Sequence, residues 1–328
     1  MSTDGSAIDF HVVSGKGGTG KTTVAAALAM SLARDGRRTL LIEVEGRQGI
    51  AQLFDTPPLP YEERTVAVAP GGGEVWALAV DPQEALLDYL ETFYNLRRAG
   101  SALRRMGAID FATTIAPGLR DVLLTGKAIE VVRRKDKNAL DAYDAVVLDA
   151  PPTGRIAQFL NVNSEVSGLA KMGPIRNHAD LVMGVIASPR TAVHLVTLLE
   201  EMPVQETIDG IQELRDANLP VGRIIVNMTR PPLLDPVEMQ QAMSDSLDAD
   251  GIHQALDRAG LGANASQLVP ALIAEARDHA RRVELERRER ERLNEADLPI
   301  VTLPFISSGI DLGGLYELSD DITKQWSS

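Results

Sequence analysis

Cysteine is absent from the 328-residue sequence. That absence excludes disulfides, thiolate metal sites and cysteine-ligated iron–sulfur clusters. Basic charge is also scarce: 33 Lys and Arg stand against 46 Asp and Glu, a formal net charge of −13. Non-specific nucleic-acid binding needs a basic surface, so nucleic acid is not an expected partner. Arg97, Arg98, Arg104 and Arg105 cluster around one helical stretch, which reads as a solvated face. No apolar run is long enough to span a bilayer. Nor does a signal peptide precede the first core strand, because Met1 to Ser6 is polar. The expectation is a cytoplasmic protein without an integral membrane span. No internal repeat is found. The length permits one large α/β domain, or a domain with a substantial insertion.

What is present is concentrated at residues 15–23, Gly15-Lys16-Gly17-Gly18-Thr19-Gly20-Lys21-Thr22-Thr23. An apolar run, Phe10 to Val13, precedes it as a short buried strand. The Ala- and Leu-rich stretch Val24 to Ala33 follows as a helix that stops near Asp35-Gly36. Gly-x-x-x-x-Gly-Lys-Thr is thus in the strand–loop–helix setting of a phosphate-binding loop. The glycines free backbone N–H groups to close around phosphate oxygens at the positive end of the new helix. Lys21 is expected on the β- and γ-phosphates of ATP, and the Thr22 hydroxyl on Mg²⁺.

Lys16 is a second lysine where most such loops carry one. Gly-Lys-Gly-Gly-x-Gly-Lys-Thr-Thr resembles the deviant Walker A class of P-loop ATPases. That resemblance implies a dimer in which Lys16 reaches the partner subunit's nucleotide. A cation delivered in trans stabilises charge developing on phosphoryl oxygens, an effect worth roughly 10³–10⁵ in rate for arginine fingers.

Further strands are expected at Thr39–Val44, Thr65–Ala69, Val75–Val80, Ala145–Leu148, Thr191–Leu198, Arg223–Val226 and Val301–Leu303. Pro70-Gly71-Gly72-Gly73 suits a reversal between two of them. Helix is expected from Asp81-Pro82 onward to about Arg134, and over Ala271–Ala296. The alternation predicts a doubly wound, mainly parallel sheet of the P-loop NTPase type. One domain over 1–328 would carry helical insertions at about 82–138 and 155–190. Ligands bind at the carboxyl ends of strands in such sheets, which singles out the acids that end them. Asp149 follows four apolar residues as a Walker B aspartate does, and is a candidate Mg²⁺ ligand with Thr22. Glu43 and Glu45 end the second strand; either could orient an attacking water, or could simply be exposed.

Several stretches together resemble the ArsA-like anion-transporting ATPase family, which includes arsenite-pump ATPases and targeting factors for tail-anchored proteins. They are the loop at 15–23, Val75-Trp76-Ala77-Leu78-Ala79-Val80-Asp81-Pro82, Ala116-Pro117-Gly118-Leu119-Arg120-Asp121 and Asp149-Ala150-Pro151-Pro152-Thr153-Gly154. Ile225-Val226-Asn227 and Leu303-Pro304-Phe305 complete the match. The resemblance implies that Asn227 selects adenine and that Pro304 and Phe305 pack near the base. It also implies that Glu45 stands where the family's water-positioning aspartate would be, one methylene longer. Arg155 replaces the family's histidine after Thr-Gly.

Without cysteine, neither arsenite coordination by thiolates nor a zinc site between subunits is available. A groove for a whole transmembrane helix needs apolar surface along roughly 30 Å, while the stretch from Arg155 to Pro189 offers only Met172 and Met183 as flexible apolar residues. The leading expectation is an ATP-hydrolysing dimer, homo- or heteromeric, whose nucleotide state reshapes a helical surface for a protein cargo. A second is a regulatory subunit that binds ATP and pairs with a more active homologue. A partition or septum-site ATPase is a third. It is disfavoured by the acidic balance and by Glu317, Asp320 and Asp321 in the C-terminal stretch, which lacks a basic amphipathic face.

Overall fold

The computed structural model describes residues 8–94, 118–137, 140–169 and 174–326. Eight strands form one sheet: β1 Phe10–Gly15, β2 Arg38–Glu43, β3 Arg64–Val68, β4 Glu74–Ala79, β5 Ala145–Asp149, β6 Thr191–Thr197, β7 Val221–Thr229 and β8 Ile300–Pro304. Their spatial order is β3-β4-β2-β5-β1-β6-β7-β8. Every pairing is parallel except β3 with β4. The expected mainly parallel, doubly wound sheet is therefore present. The one reversal falls where Gly71 and Gly72, at φ 82° and 85°, take a backbone that residues with a side chain rarely adopt.

The central strands are apolar on both faces because helices cover both. Alternation along each strand then sorts side chains into two cores. Phe10, Val12, Leu40, Ile42, Val146 and Leu148 face one of them. That side is covered by α4 (Leu119–Val132), α5 (Thr153–Leu169) and α7 (Glu201–Asp216). Val13, Leu41, Val147 and Ile225 face the other, under α1 (Lys21–Leu32) and α11 (Leu312–Trp326). The alanines of α1 let it lie close to the strands, and Val24 through Met30 are fully buried.

The helical stretches expected at about 82–138 and 155–190 contain α3 (Pro82–Tyr94), α4, α5 and α6 (Pro174–Ile186). Arg97, Arg98, Arg104, Arg105, Ala116, Pro117 and Met172 lie outside the described residues. Met183 packs against the first core.

Elsewhere the elements are longer or more numerous than expected. A short α2 (Gly49–Leu53) follows β2, and β7 extends beyond both ends of Arg223–Val226. Two further helices, α8 (Pro236–Met243) and α9 (Ala249–Arg258), precede the long α10 (Ala265–Asn294). Helix α10 begins upstream of Pro270 and contains it. The parallel strands bring the ends of β1, β2, β5 and β7 to a single edge of the sheet. In register, Glu43 and Val13 each pair with Asp149.

Candidate nucleotide site

The loop after β1 is closed by its own residues. Thr19 donates through its hydroxyl to the Lys16 carbonyl at 2.8 Å and through its N–H at 3.3 Å. Gly18 and Gly20 have φ of 91° and 84°, which only glycine takes readily. Gly20 caps α1 without any side-chain hydrogen bond, so the first-turn N–H groups remain for an anion. Gly15 and Thr19 form the buried back of the loop. Gly17, Gly18, Gly20, Lys21, Thr22 and Thr23 face a cavity of about 320 Å³.

Asp149, Glu43, Glu45 and Arg47 line the same cavity. The Thr22 hydroxyl donates to Asp149 Oδ2 at 2.7 Å. Lys21 is 8% exposed; its Nζ donates to the Ala150 carbonyl at 3.3 Å and lies 3.5 Å from Glu45. Burial pushes the Asp149 carboxyl up to about 6. The Thr22 hydrogen bond and the Lys21 charge oppose that shift, while Glu43 and Glu45 add to it. Asp149 Oδ1 is buried with no hydrogen-bond partner. A hydroxyl beside a carboxylate with a free lone pair suits Mg²⁺, a hard cation that takes oxygen ligands and keeps water.

Lys16 lies outside this cavity. Its Nζ donates to Glu206 on α7 of the same chain at 2.5 Å. The two lysines of the loop are thus separated: one faces the cavity and one is held on a neighbouring helix.

Asn227 is buried near the end of β7, and its Nδ2 donates to the Thr19 carbonyl at 2.9 Å, tying this strand to the loop. It lines a second cavity, of about 230 Å³, together with Met228, Arg230, Arg282, Glu286 and Phe305. The Arg230 guanidinium stacks 4.0 Å above the Phe305 ring. Pro304 ends β8 opposite Thr229, and Phe305 rather than Pro304 reaches the cavity. A larger cavity of about 500 Å³ lies among α3, α4 and α6 but contains none of the motif residues. The chemistry favours the smaller pair.

Sequence reasoning named Glu43 without fixing its burial, and it missed three other participants. Glu43 is 2% exposed, although exposure was an open possibility for it. Arg47 and Arg230 stood two and three residues beyond the named Glu45 and Asn227, whereas Glu206 lay near no motif.

The sequence profile of the anion-transporting ATPases matches residues 8–189, more than half of the chain. The chain belongs to the anion-transporting ATPase family. It is 52% identical over 320 residues to "ATPase BagA" of Mycobacterium tuberculosis, covering 98% of this chain and 94% of that protein. It is 28% identical over 249 residues to "ATPase GET3" of Kluyveromyces lactis, covering 66% and 70%. With the "Arsenical pump-driving ATPase" of Escherichia coli it shares 25% identity over 247 residues, covering 66% of this chain and 39% of that one. The resemblance read from the motifs is borne out, and the chain is an ATP-binding ATPase of this family. Among the described residues, no helix is long and apolar enough to cross a membrane.

Proposed function

We propose that this anion-transporting ATPase hydrolyses Mg-ATP as a dimer and uses the nucleotide state to reshape a helical surface for a protein cargo. The observation that carries the site reading is the Thr22–Asp149 hydrogen bond beside buried Lys21, at the mouth of a glycine-rich loop. Lys21 and the free N–H groups at the start of α1 bind the β- and γ-phosphates. Thr22 and Asp149 would hold Mg²⁺, which when bound would supply positive charge to offset that of the phosphoryl oxygens. Glu45, released from Lys21 when phosphate replaces it, orients the attacking water. Asn227 commits its nitrogen to the loop, so its carbonyl oxygen is the atom left for the amino group of adenine. Phe305 and Arg230 flank the base.

Lys16 acts on the partner subunit's nucleotide, and Glu206 must release it first. Purified protein assayed with Mg-ATP tests the reading, and robust turnover by the isolated chain supports it. ATP binding without turnover, restored by a homologous subunit, would favour the regulatory reading instead. That second reading draws support from Lys16 being engaged within its own chain and from glutamate standing at position 45.

A further inference from the structure

Glu43 is a buried acid lining the phosphate-loop cavity that the chemistry above leaves unused. It is the last residue of β2, in register with Asp149 at the end of β5. Its Oε2 accepts one long hydrogen bond, 3.4 Å, from the Ile50 N–H at the start of α2. Its Oε1 is buried with no partner, as is Oδ1 of Asp149. Both cations that line the cavity form their ion pairs elsewhere: Lys21 lies 3.5 Å and Arg47 3.9 Å from Glu45. Two adjacent buried carboxylates are therefore left without an ion pair, an arrangement that desolvation and mutual repulsion both penalise.

A divalent cation at Thr22 removes that penalty. Among the described residues, no three acidic or imidazole side chains converge closely enough to hold a metal unaided. The cation must therefore bring water and phosphate oxygens as ligands, which is how Mg²⁺ ordinarily binds. We propose that Glu43 is a second carboxylate of the Mg²⁺ site, holding the ion's water shell together with Asp149. This rests on the nucleotide-site reading above and divides the labour of the two glutamates. Glu43 serves the metal, and Glu45 is left for the attacking water.

The test is calorimetric titration of a non-hydrolysable β,γ-imido ATP analogue, with and without Mg²⁺, on wild type, Glu43→Gln and Asp149→Asn. Glutamine keeps an oxygen for the Ile50 N–H but removes the charge. Outer-shell groups typically govern metal affinity by about 10–100-fold. Glu43→Gln should accordingly lose at least about tenfold of the Mg²⁺-dependent gain in analogue affinity. Its metal-free affinity should hold or tighten, because a negative charge beside the phosphates is gone.

If Asp149→Asn loses the gain and Glu43→Gln keeps it, Glu43 is not part of the metal site, and the nucleotide reading survives. If neither variant loses it, the placement of the metal itself is overturned. Glu43→Asp, which keeps the charge, should restore part of the gain and covers the case in which the glutamine variant fails to fold.

Discussion

Two buried polar clusters sit in the same sheet; each keeps an atom without a hydrogen-bond partner, but one lines a cavity and the other is filled by a helix. At the carboxyl ends of β2 and β5, Glu43 and Asp149 each keep an oxygen without a partner. Between β1 and β6, His11 and His194 are hydrogen-bonded to each other at 3.1 Å, and His194 also accepts from the Arg223 N–H at 3.0 Å. Trp326 of α11 lies against this pair, its ring 5.1 Å from that of His194, with Arg223 stacked on its outer side. The first cluster has room for something to arrive. The second keeps His11 Nε2 without a partner, but the space beside it is taken by Trp326, from a helix of its own chain. Burial alone therefore does not identify a functional polar group; the unspent hydrogen-bonding capacity beside a cavity does.

The sharpest way to break this contrast is at Lys16. If it acts across a dimer, Lys16→Ala should lower hydrolysis by roughly 10³-fold. Equilibrium ATP binding and thermal stability should stay near wild type, and steady-state turnover with parallel nucleotide titration reads both. Normal turnover would sink the trans-lysine reading.

The histidine pair should behave in the opposite manner, affecting stability and not chemistry. Burial lowers His11 to about 4 and holds His194 well below its ordinary range, with His11 and Arg223 acting in the same direction. Both rings are neutral in the fold, whereas in the unfolded chain they charge near 6.5. The unfolded state then binds more protons, so their contribution is intact above about pH 6.5 and is lost toward pH 4, a swing of a few kcal/mol. Thermal melts across that window should show the fall, and His194→Gln should flatten it. An unchanged slope in that variant would assign acid sensitivity elsewhere.

At the cavity proposed for the base, Phe305→Ala removes the platform under Arg230. Stacking and cation–π contacts of this kind are worth about 1–2 kcal/mol, so ATP affinity should weaken about tenfold with turnover at saturation unchanged. The smallest effect is expected at Glu206. A part-exposed ion pair contributes about 0.2–1 kcal/mol, so Glu206→Gln should raise dimer formation or turnover only two- to fivefold, roughly. Sedimentation with the β,γ-imido analogue would detect it, and a loss of dimer would reverse the role given to that contact.

The phosphate loop was legible because its chemistry is local: nine consecutive residues carry the glycines, the lysines and the hydroxyls. Asp149 was legible because four apolar residues point at it and β5 is buried on both faces. The burial of Glu43 was not, because it depends on α2 packing back over the end of β2. Arg230 and Phe305 meet only because β7 and β8 are neighbours, a pairing that no local pattern announces. Glu206 lies on the face of α7 that meets the loop, and nothing in the composition of that helix marks it.

Two helix signals are local in the sequence. Asp235 and Glu238 form a complete capping box with Pro236 between them, a start signal for α8. Leu315, Leu318 and Ile322 have the spacing of a helix face and are buried as one in α11. The helix expected from Ala271 begins at Ala265 and contains Pro270 in its opening turns.

Helix α10 has a mechanical consequence. Its 30 residues make a rod about 45 Å long. Arg282 and Glu286, which line the cavity proposed for the base, fall just past its midpoint. A tilt of about 10° about that point would move the Ala265 end by about 5 Å and the Asn294 end by about 3 Å. Spectroscopic labels near residues 266 and 294 would test whether nucleotide exchange tilts the helix, reading it as distance far from the cavity.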